Sequence, residues 1–305
     1  MNQYIHAVPN FSEGARPEVV ERVVDQVRTV SGVKLIGYFP DKDFNRTVVE
    51  LIGEPGPLKE ALLNMASKAI ELIDMEQQRG NHPRIGAQDT IPIFPMRNIM
   101  IEECVQLAEE IGVELNRRAD VPVFFAGENA RTPERKALDF IRTGQYEGLR
   151  DLLLSENPDP LRLPDLGSAR NFIHKGGTIV SAGTNPLVAV NFILSTERLD
   201  IAKTIAKAAR GPSGGFTTVR SVGLRFTDRN QVVVSMNMFD HEATPLFRTF
   251  NLVKSEAARW GVSVTGTQLV GTVPQEALIR VAEYFLQLEG FDRNQIRENH
   301  IPDLV

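Results

Sequence analysis

Apolar positions fall along this chain in two rhythms, one suited to strands and one to helices. Residues 3–8 alternate into a short strand that stops at Pro9-Asn10. Pro17 then opens a helix in which Val19, Val20, Val23, Val24, Val27 and Val30 build one apolar face. Ser31-Gly32 ends it. Val33–Tyr38 and Thr47–Ile52 read as strands, the second cut off by Gly53-Glu54-Pro55-Gly56-Pro57. A long helix follows, with Leu62, Leu63, Ala66, Ile70 and Ile73 on one side. Residues 88–94 give a short strand, 100–117 a helix and Val121–Phe125 a strand, with one further helix and strand. Pro92 and Pro95 make 88–94 an edge strand at best.

The second half repeats the order. Leu187–Leu194 is strand-like and Glu197–Ala209 helical. Phe216–Phe226 and Gln231–Met238 read as strands joined by a hairpin turn around Asp228-Arg229-Asn230. Thr244–Trp260 is helical, Ser263–Leu269 a strand and Pro274–Leu288 a final helix. Two consecutive βαββαβ units predict an α+β fold of two ferredoxin-like subdomains, residues 1–177 and 178–305. Residues 156–177, rich in Pro, Asp and Gly, read as the linker. A single doubly wound sheet would need strictly alternating strands and helices, and the adjacent strands at 33–38 and 47–52 argue against it.

Composition narrows the classes. With 305 residues, 42% hydrophobic and 24% charged, the chain is long enough for two cores of ordinary globular make-up. A net charge of -5 gives no electrostatic reason to expect nucleic acid or an anionic membrane as partner. The lone Cys104 rules out an internal disulfide and multi-cysteine metal sites, and reads as a buried bystander. The start of the chain lacks a signal peptide's pattern, and no apolar run nears the roughly 20 residues of a membrane span. A cytoplasmic protein is the expectation.

Candidate chemistry concentrates in Gln77-Gln78-Arg79-Gly80-Asn81-His82-Pro83-Arg84-Ile85-Gly86-Ala87-Gln88-Asp89, a loop carrying a histidine and two arginines. His82 can exchange a proton near neutral pH, and Arg84 offers a planar fork for a carboxylate. Equally, His82 could cap a helix and Arg84 pair with Asp89. In the turn holding Asp41, Asp43, Asn45 and Arg46, two carboxylates could orient an amine-bearing substrate, or form a solvated turn. Ser12, in Pro9-Asn10-Phe11-Ser12-Glu13-Gly14, is a natural helix N-cap. His6, His241 and His300 do not suggest sites, and His174 belongs to a basic, glycine-ended loop, Arg170-Asn171-Phe172-Ile173-His174-Lys175-Gly176-Gly177-Thr178, next to the linker. No histidine pair has metal-ligand spacing, and no serine sits in a G-x-S-x-G elbow. Gly211-Pro212-Ser213-Gly214-Gly215 lies between a helix and a strand, the reverse of a nucleotide loop.

Five segments recur together in a known order. Val8-Pro9-Asn10-Phe11-Ser12-Glu13-Gly14, Asn45-Arg46-Thr47-Val48, Glu71-Leu72-Ile73-Asp74-Met75, His82-Pro83-Arg84 with Gly86-Ala87, and Gln268-Leu269-Val270-Gly271 with Val273-Pro274 resemble the glutamate formiminotransferase family. The resemblance runs from residue 4 to about 290 and implies the transferase part alone, without the cyclodeaminase domain fused to it in some relatives. It implies a homodimer in which two ferredoxin-like subdomains clasp tetrahydrofolate in a cleft between them, with no metal. The implied activity moves a formimino group from N-formimidoyl-L-glutamate to N5 of tetrahydrofolate in histidine breakdown and one-carbon metabolism. His82 matches the family's catalytic histidine, a proton shuttle between the folate nitrogen and the departing glutamate nitrogen.

Folate contacts would fall at Gly167 and Gly176, and at Gly214, Val219 and Gly223. Arg46 and Arg84 are the expected anion-binding residues, Asp41 or Asp43 would orient the amine, and Asn45 and Gln268 complete the substrate-binding set. The chain departs from the family pattern at three places. Phe39 stands where some relatives have an acidic residue, Asn81 replaces a glutamate, and Ser181-Ala182-Gly183-Thr184-Asn185 replaces a Gly-Ala-Arg run. A related formyl transfer from N-formylglutamate, or folate binding without catalysis, are the alternatives on the same scaffold.

Overall fold

The valine stripe becomes helix α1 (Pro17–Arg28), which buries Val19, Val20, Val23, Val24 and Val27 and packs on α2 (Pro55–Leu72). Pro17 stands in its first turn, where a missing N–H costs nothing, and Arg28 in its last turn suits the helix dipole. The computed structural model describes residues 2–226 and 230–304. They form two units that divide between Thr184 and Asn185.

The first unit is built on a seven-stranded sheet. Strands β1 (Tyr4–Ala7) and β2 (Asn10–Phe11) are successive pieces of one line, broken at Val8-Pro9 and flanked by β4 (Arg46–Gly53) and β5 (Gln88–Arg97). Strand β3 (Val33–Asp41) pairs with the far side of β4. Beyond β5 come β7 (Thr178–Ala182) and then β6 (Val123–Gly127), both paired in parallel. Helices α1, α2 and α3 (Ile101–Ala119) bury apolar faces in the same core cluster as the sheet. The short helices α4 (Leu138–Arg142) and α5 (Gln145–Leu153) follow β6.

Two expectations change here. The strand at 88–94 is interior, not an edge: β5 has β1 and β2 on one side and β7 on the other. Proline removes only a donor. The Pro92 carbonyl still accepts from Val8 N at 3.1 Å, and Pro95 lies past Ile93, where the pairing with β7 ends. Residues 156–177 do not link the two units but belong to the first. Asp165 and Leu166 exchange backbone hydrogen bonds with Val123, and Phe172 is fully buried, stacked on Tyr146. The division follows β7 instead of preceding it, because that strand is buried along its whole length between two parallel neighbours.

The second unit runs β8 (Val188–Leu194), α6 (Leu199–Ala209), β9 (Val219–Arg225), β10 (Val232–Met238), α7 (Leu246–Ala258), β11 (Val264–Val270) and α8 (Gln275–Leu286). Its antiparallel sheet has the order β11-β8-β10-β9. Val188, Val190, Phe192 and Leu194 alternate inward toward α6 and α7, as the period-2 pattern predicts. The turn expected around Asp228-Arg229-Asn230 falls at 227–229, outside the described residues. Two separate sheets with mostly antiparallel pairs make the molecule mixed α+β and dispose of the single doubly wound sheet.

Candidate active site

Three loops of the first unit converge at the β4–β5 end of the sheet, and each is tied to the others by side chains. Ser12 donates through Oγ to the Gly86 carbonyl at 2.7 Å. It does not cap α1. Glu13 serves that end instead: its buried carboxylate accepts from the N–H groups of Gly14, Ala15 and Arg16 and pairs with the Arg16 guanidinium. Asn45, at φ +49°, accepts from Gly14 N at 2.9 Å and donates to the Arg79 carbonyl at 2.6 Å. The Asn45 amide, expected in substrate binding, thus joins the 9–16 loop to the 78–88 loop. Backbone bonds from Asn81 N to Asp43 O and from His82 N to Phe44 O, each 3.3 Å, seat the histidine against the β3–β4 turn.

His82 is partly buried, with the Phe44 ring edge-on at 6.4 Å. Its Nε2 lies 2.9 Å from Arg46 Nη1. A guanidinium has donors and no acceptor, so Nε2 must carry the lone pair and the ring proton sits on Nδ1. Burial lowers the pKa of His82, and the positive charges of Arg46, Arg142 and Arg84 lower it further, to about 3. The ring is a neutral base in a cationic pocket, and the helix-cap reading of His82 has no counterpart.

The three arginines differ in how their charge is met. Arg84 is 3% exposed and its fork is taken by Glu147 at 2.8 and 2.9 Å, with Nε on Gln78 Oε1 at 2.7 Å. Its expected partner Asp89 is held by Arg142 and by Ile85 N instead. Arg46 donates to Asn10 Oδ1 at 3.1 Å and to His82, its Nε finds no partner, and among the described residues it makes no ion pair. Burial depresses the Arg46 pKa, Arg142 adds to this, and Asp89 and Asp41 oppose it.

Asp41 accepts from Asp43 N and Phe44 N at 2.9 Å each, the geometry of a self-contained turn. Asp43 is exposed and borders an open pocket with Arg79, Asn81, Gln145 and Glu147. Phe39 is half exposed on β3. Gly167 takes φ +84° and Gly176 φ +71°, and Gly176 forms a bridge to Gly86 that brings the 167–176 segment against the end of the His82 loop. Gly214, Val219, Gly223 and Gln268 lie in the second unit. There Val219 is fully buried, Gly223 presses β9 on α6, and Gln268 accepts from Asn191 at 3.2 Å. Sequence reasoning missed Asn10 as a partner of Arg46, although Asn10 stands inside a quoted motif. It also missed Gln78, Arg142 and Glu147; Arg142 sits on a helix of five residues, too short to show an apolar period, and Glu147 on the polar side of α5, whose buried face is Tyr146, Leu149 and Leu153.

The remaining candidates are accounted for locally. His6 pairs with Glu50 at 2.9 Å and His174 with Asp74 at 3.0 Å. Burial pushes the Cys104 thiol up to about 11, which leaves it unreactive. Among the described residues no cluster of three or more His, Cys, Asp or Glu could hold a metal, and no helix is long and apolar enough to cross a membrane.

Comparison with known proteins bears on the whole chain. The model of the formiminotransferase domain's N-terminal subdomain matches residues 4–183, and that of the formiminotransferase domain matches residues 188–302. A glutamate formimidoyltransferase of Streptococcus pyogenes serotype M1 is 39% identical over 303 residues, 99% of each chain. One from Thermoplasma acidophilum is 37% identical over 96% of each. The formimidoyltransferase-cyclodeaminase of Mus musculus is 35% identical over 95% of this chain and 53% of its own length. The two matches break between 183 and 188, where the structure itself divides. With both of its units matched in this way, the chain belongs to the formiminotransferase family.

Proposed function

We propose that this protein is a glutamate formimidoyltransferase that moves the formimino group of N-formimidoyl-L-glutamate to N5 of tetrahydrofolate. One observation carries the chemistry: an unprotonated imidazole nitrogen on His82 beside Arg46, a guanidinium that makes no ion pair among the described residues and suits an anionic donor. In the reaction N5 attacks the formimino carbon and a new C–N bond forms. His82 takes the proton that N5 sheds. The bond from that carbon to the glutamate nitrogen breaks, and the same proton passes from His82 to the leaving nitrogen, giving 5-formiminotetrahydrofolate and glutamate. Holding two substrates in register supplies much of the remaining acceleration.

The reading extends to the site residues. Arg46 is the anion-binding residue, while Arg84, committed to Glu147, contributes charge and rigidity. The glycine segments at 167–176 and 214–223 are the folate contacts. In the first unit the β1–β2 line lies between β4 and β5, and in the second β8 lies between β10 and β11, which supports taking each as a ferredoxin-like half. The ligand cleft and the homodimer stay expectations of the family, and the cytoplasmic location an expectation of the sequence. Formyl transfer from N-formylglutamate is the neighbouring reaction, since Phe39, Asn81 and residues 181–185 depart from the family pattern. The test is glutamate release from tetrahydrofolate plus either donor. Release from formimidoylglutamate alone supports the reading, and a preference for formylglutamate moves the assignment to formyl transfer. Folate binding with no turnover of either donor makes the protein a binder.

A further inference from the structure

The proposed reaction needs a free lone pair on His82, and the nitrogen that has one is occupied. Arg46 Nη1 sits on Nε2 at 2.9 Å, so a substrate proton cannot reach that nitrogen while the contact lasts. Arg46 also stands apart from three other largely buried arginines. Arg84 is answered by Glu147, Arg135 by Asp165 and Arg142 by Asp89. Among the described residues Arg46 meets only neutral acceptors, Asn10 Oδ1 and His82 Nε2, while its Nε, like those of Arg135 and Arg142, is buried without a partner. A desolvated guanidinium with no carboxylate is a receptor for one, because pairing recovers a charge that burial has stripped of water.

We infer that Arg46 is a positioning residue that covers His82 Nε2 in the resting protein and passes to a carboxylate of the arriving formimidoylglutamate, uncovering the base only once the donor is bound. The inference rests on the reaction proposed above for its ligand, and on the geometry alone for the resting contact. Charges reach the ring from several elements: Arg46 on β4, Arg84 in the 78–88 loop and Arg142 on α4. Asp89 on β5 and Asp41 in the β3–β4 turn act on Arg46, and Glu147 on α5 neutralises Arg84. A carboxylate on Arg46 cancels one of the three positive charges that disfavour the imidazolium. The ring then holds the proton it takes more readily, and can return it to the leaving nitrogen.

The test uses the full chain with ¹⁵N-labelled histidine and long-range imidazole correlations. Without ligands His82 should show the Nδ1–H tautomer. Formimidoylglutamate, added without folate so that no transfer occurs, should shift the Nε2 signal and raise the His82 titration midpoint by about one unit, tenfold in proton affinity. Arg46→Gln should raise the midpoint in ligand-free protein and remove the response to the donor, with the His6 and His174 signals reporting an intact fold. An Arg46→Gln midpoint equal to that of the wild type overturns the resting contact. A wild-type His82 unmoved by saturating donor overturns the hand-over, and this measurement stands even if the variant fails to fold. Absent turnover with an intact His82 response would sink the proposed reaction instead, leaving the Arg46 contact in place.

Discussion

Arg84 and Glu147 meet through two parallel hydrogen bonds of 2.8 and 2.9 Å, and this pair fastens the His82 loop to helix α5. The guanidinium is 3% exposed while the Glu147 side chain is nearly half exposed. Glu147→Ala therefore strands a buried cation without its carboxylate, whereas Arg84→Ala leaves a carboxylate that water can reach. Breaking a fully buried pair costs about 3–5 kcal/mol. With one partner half exposed, about 2 kcal/mol is expected for Glu147→Ala, which leaves the buried charge unpaired, and less for Arg84→Ala. Arg84→Lys should not restore stability, because a point charge cannot replace the fork. Urea midpoints of the three variants check the order, and equal losses for Arg84→Ala and Glu147→Ala would show that burial of the guanidinium is not what matters.

Replacing the base should remove chemistry and spare binding. For His82→Ala, turnover is expected to fall by about 10²–10⁴-fold, the range of a lost general acid/base, with tetrahydrofolate affinity within a small factor. Steady-state rates with a parallel binding titration give both quantities. Unchanged turnover would remove His82 from the reaction.

The same residue should leave a mark on stability against pH. In the folded protein its pKa is held near 3, below the ordinary value of 6.5, so the unfolded chain takes up the proton first. Folding stability is then at its full value above pH 6.5, declines as pH falls through the interval down to about 3, and levels off below. His82→Gln should flatten the decline across that window. Denaturant midpoints at closely spaced pH values measure it, and equal slopes for wild type and variant would contradict the neutral state assigned to the ring.

Two glycines of the expected folate segments should respond differently to alanine. At Gly176 the φ is +71° and an added Cβ would lie 2.1 Å from the Ile85 carbonyl oxygen, next to the His82 loop. At Gly214 the φ is +92° with nothing within 4 Å. Gly214→Ala should cost only the strain of a left-handed residue, about 1–3 kcal/mol. Gly176→Ala should cost more and disturb the His82 resonances as well. Thermal unfolding with the imidazole spectrum separates the two, and similar losses at both positions would mean that the close approach at Gly176 is relieved by a shift of the loop.

The parts of the fold that the sequence made legible are those whose signal is local and repeated. The valine face of α1 and the alternation of β8 are written in side-chain spacing, and both elements appear where that spacing puts them. The prolines of β5 point to an edge and the strand is interior, because the proline rule concerns donors and its outcome depends on what the neighbouring strand offers. Residues 156–177 have linker composition, yet Phe172 finds Tyr146 and Asp165 finds Arg135, partners that composition does not encode. At the site, the loop around His82 stood out by residue type. Its contact with Arg46 joins residues 36 apart in sequence and depends on how the loops lie against one another, and Arg142 arrives from a helix of five residues. Asn45 and Arg84 carried the right polarity, but their hydrogen bonds run inward.

The most direct measurement follows the transferred carbon. The protein would be incubated with tetrahydrofolate and formimidoylglutamate carrying ¹³C in the formimino group, and the label tracked by NMR while glutamate is quantified. The account predicts that the label appears on N5 of the folate as formimino, one for each glutamate released. Glutamate released with the label left in solution, or donor untouched while folate is bound, would contradict it.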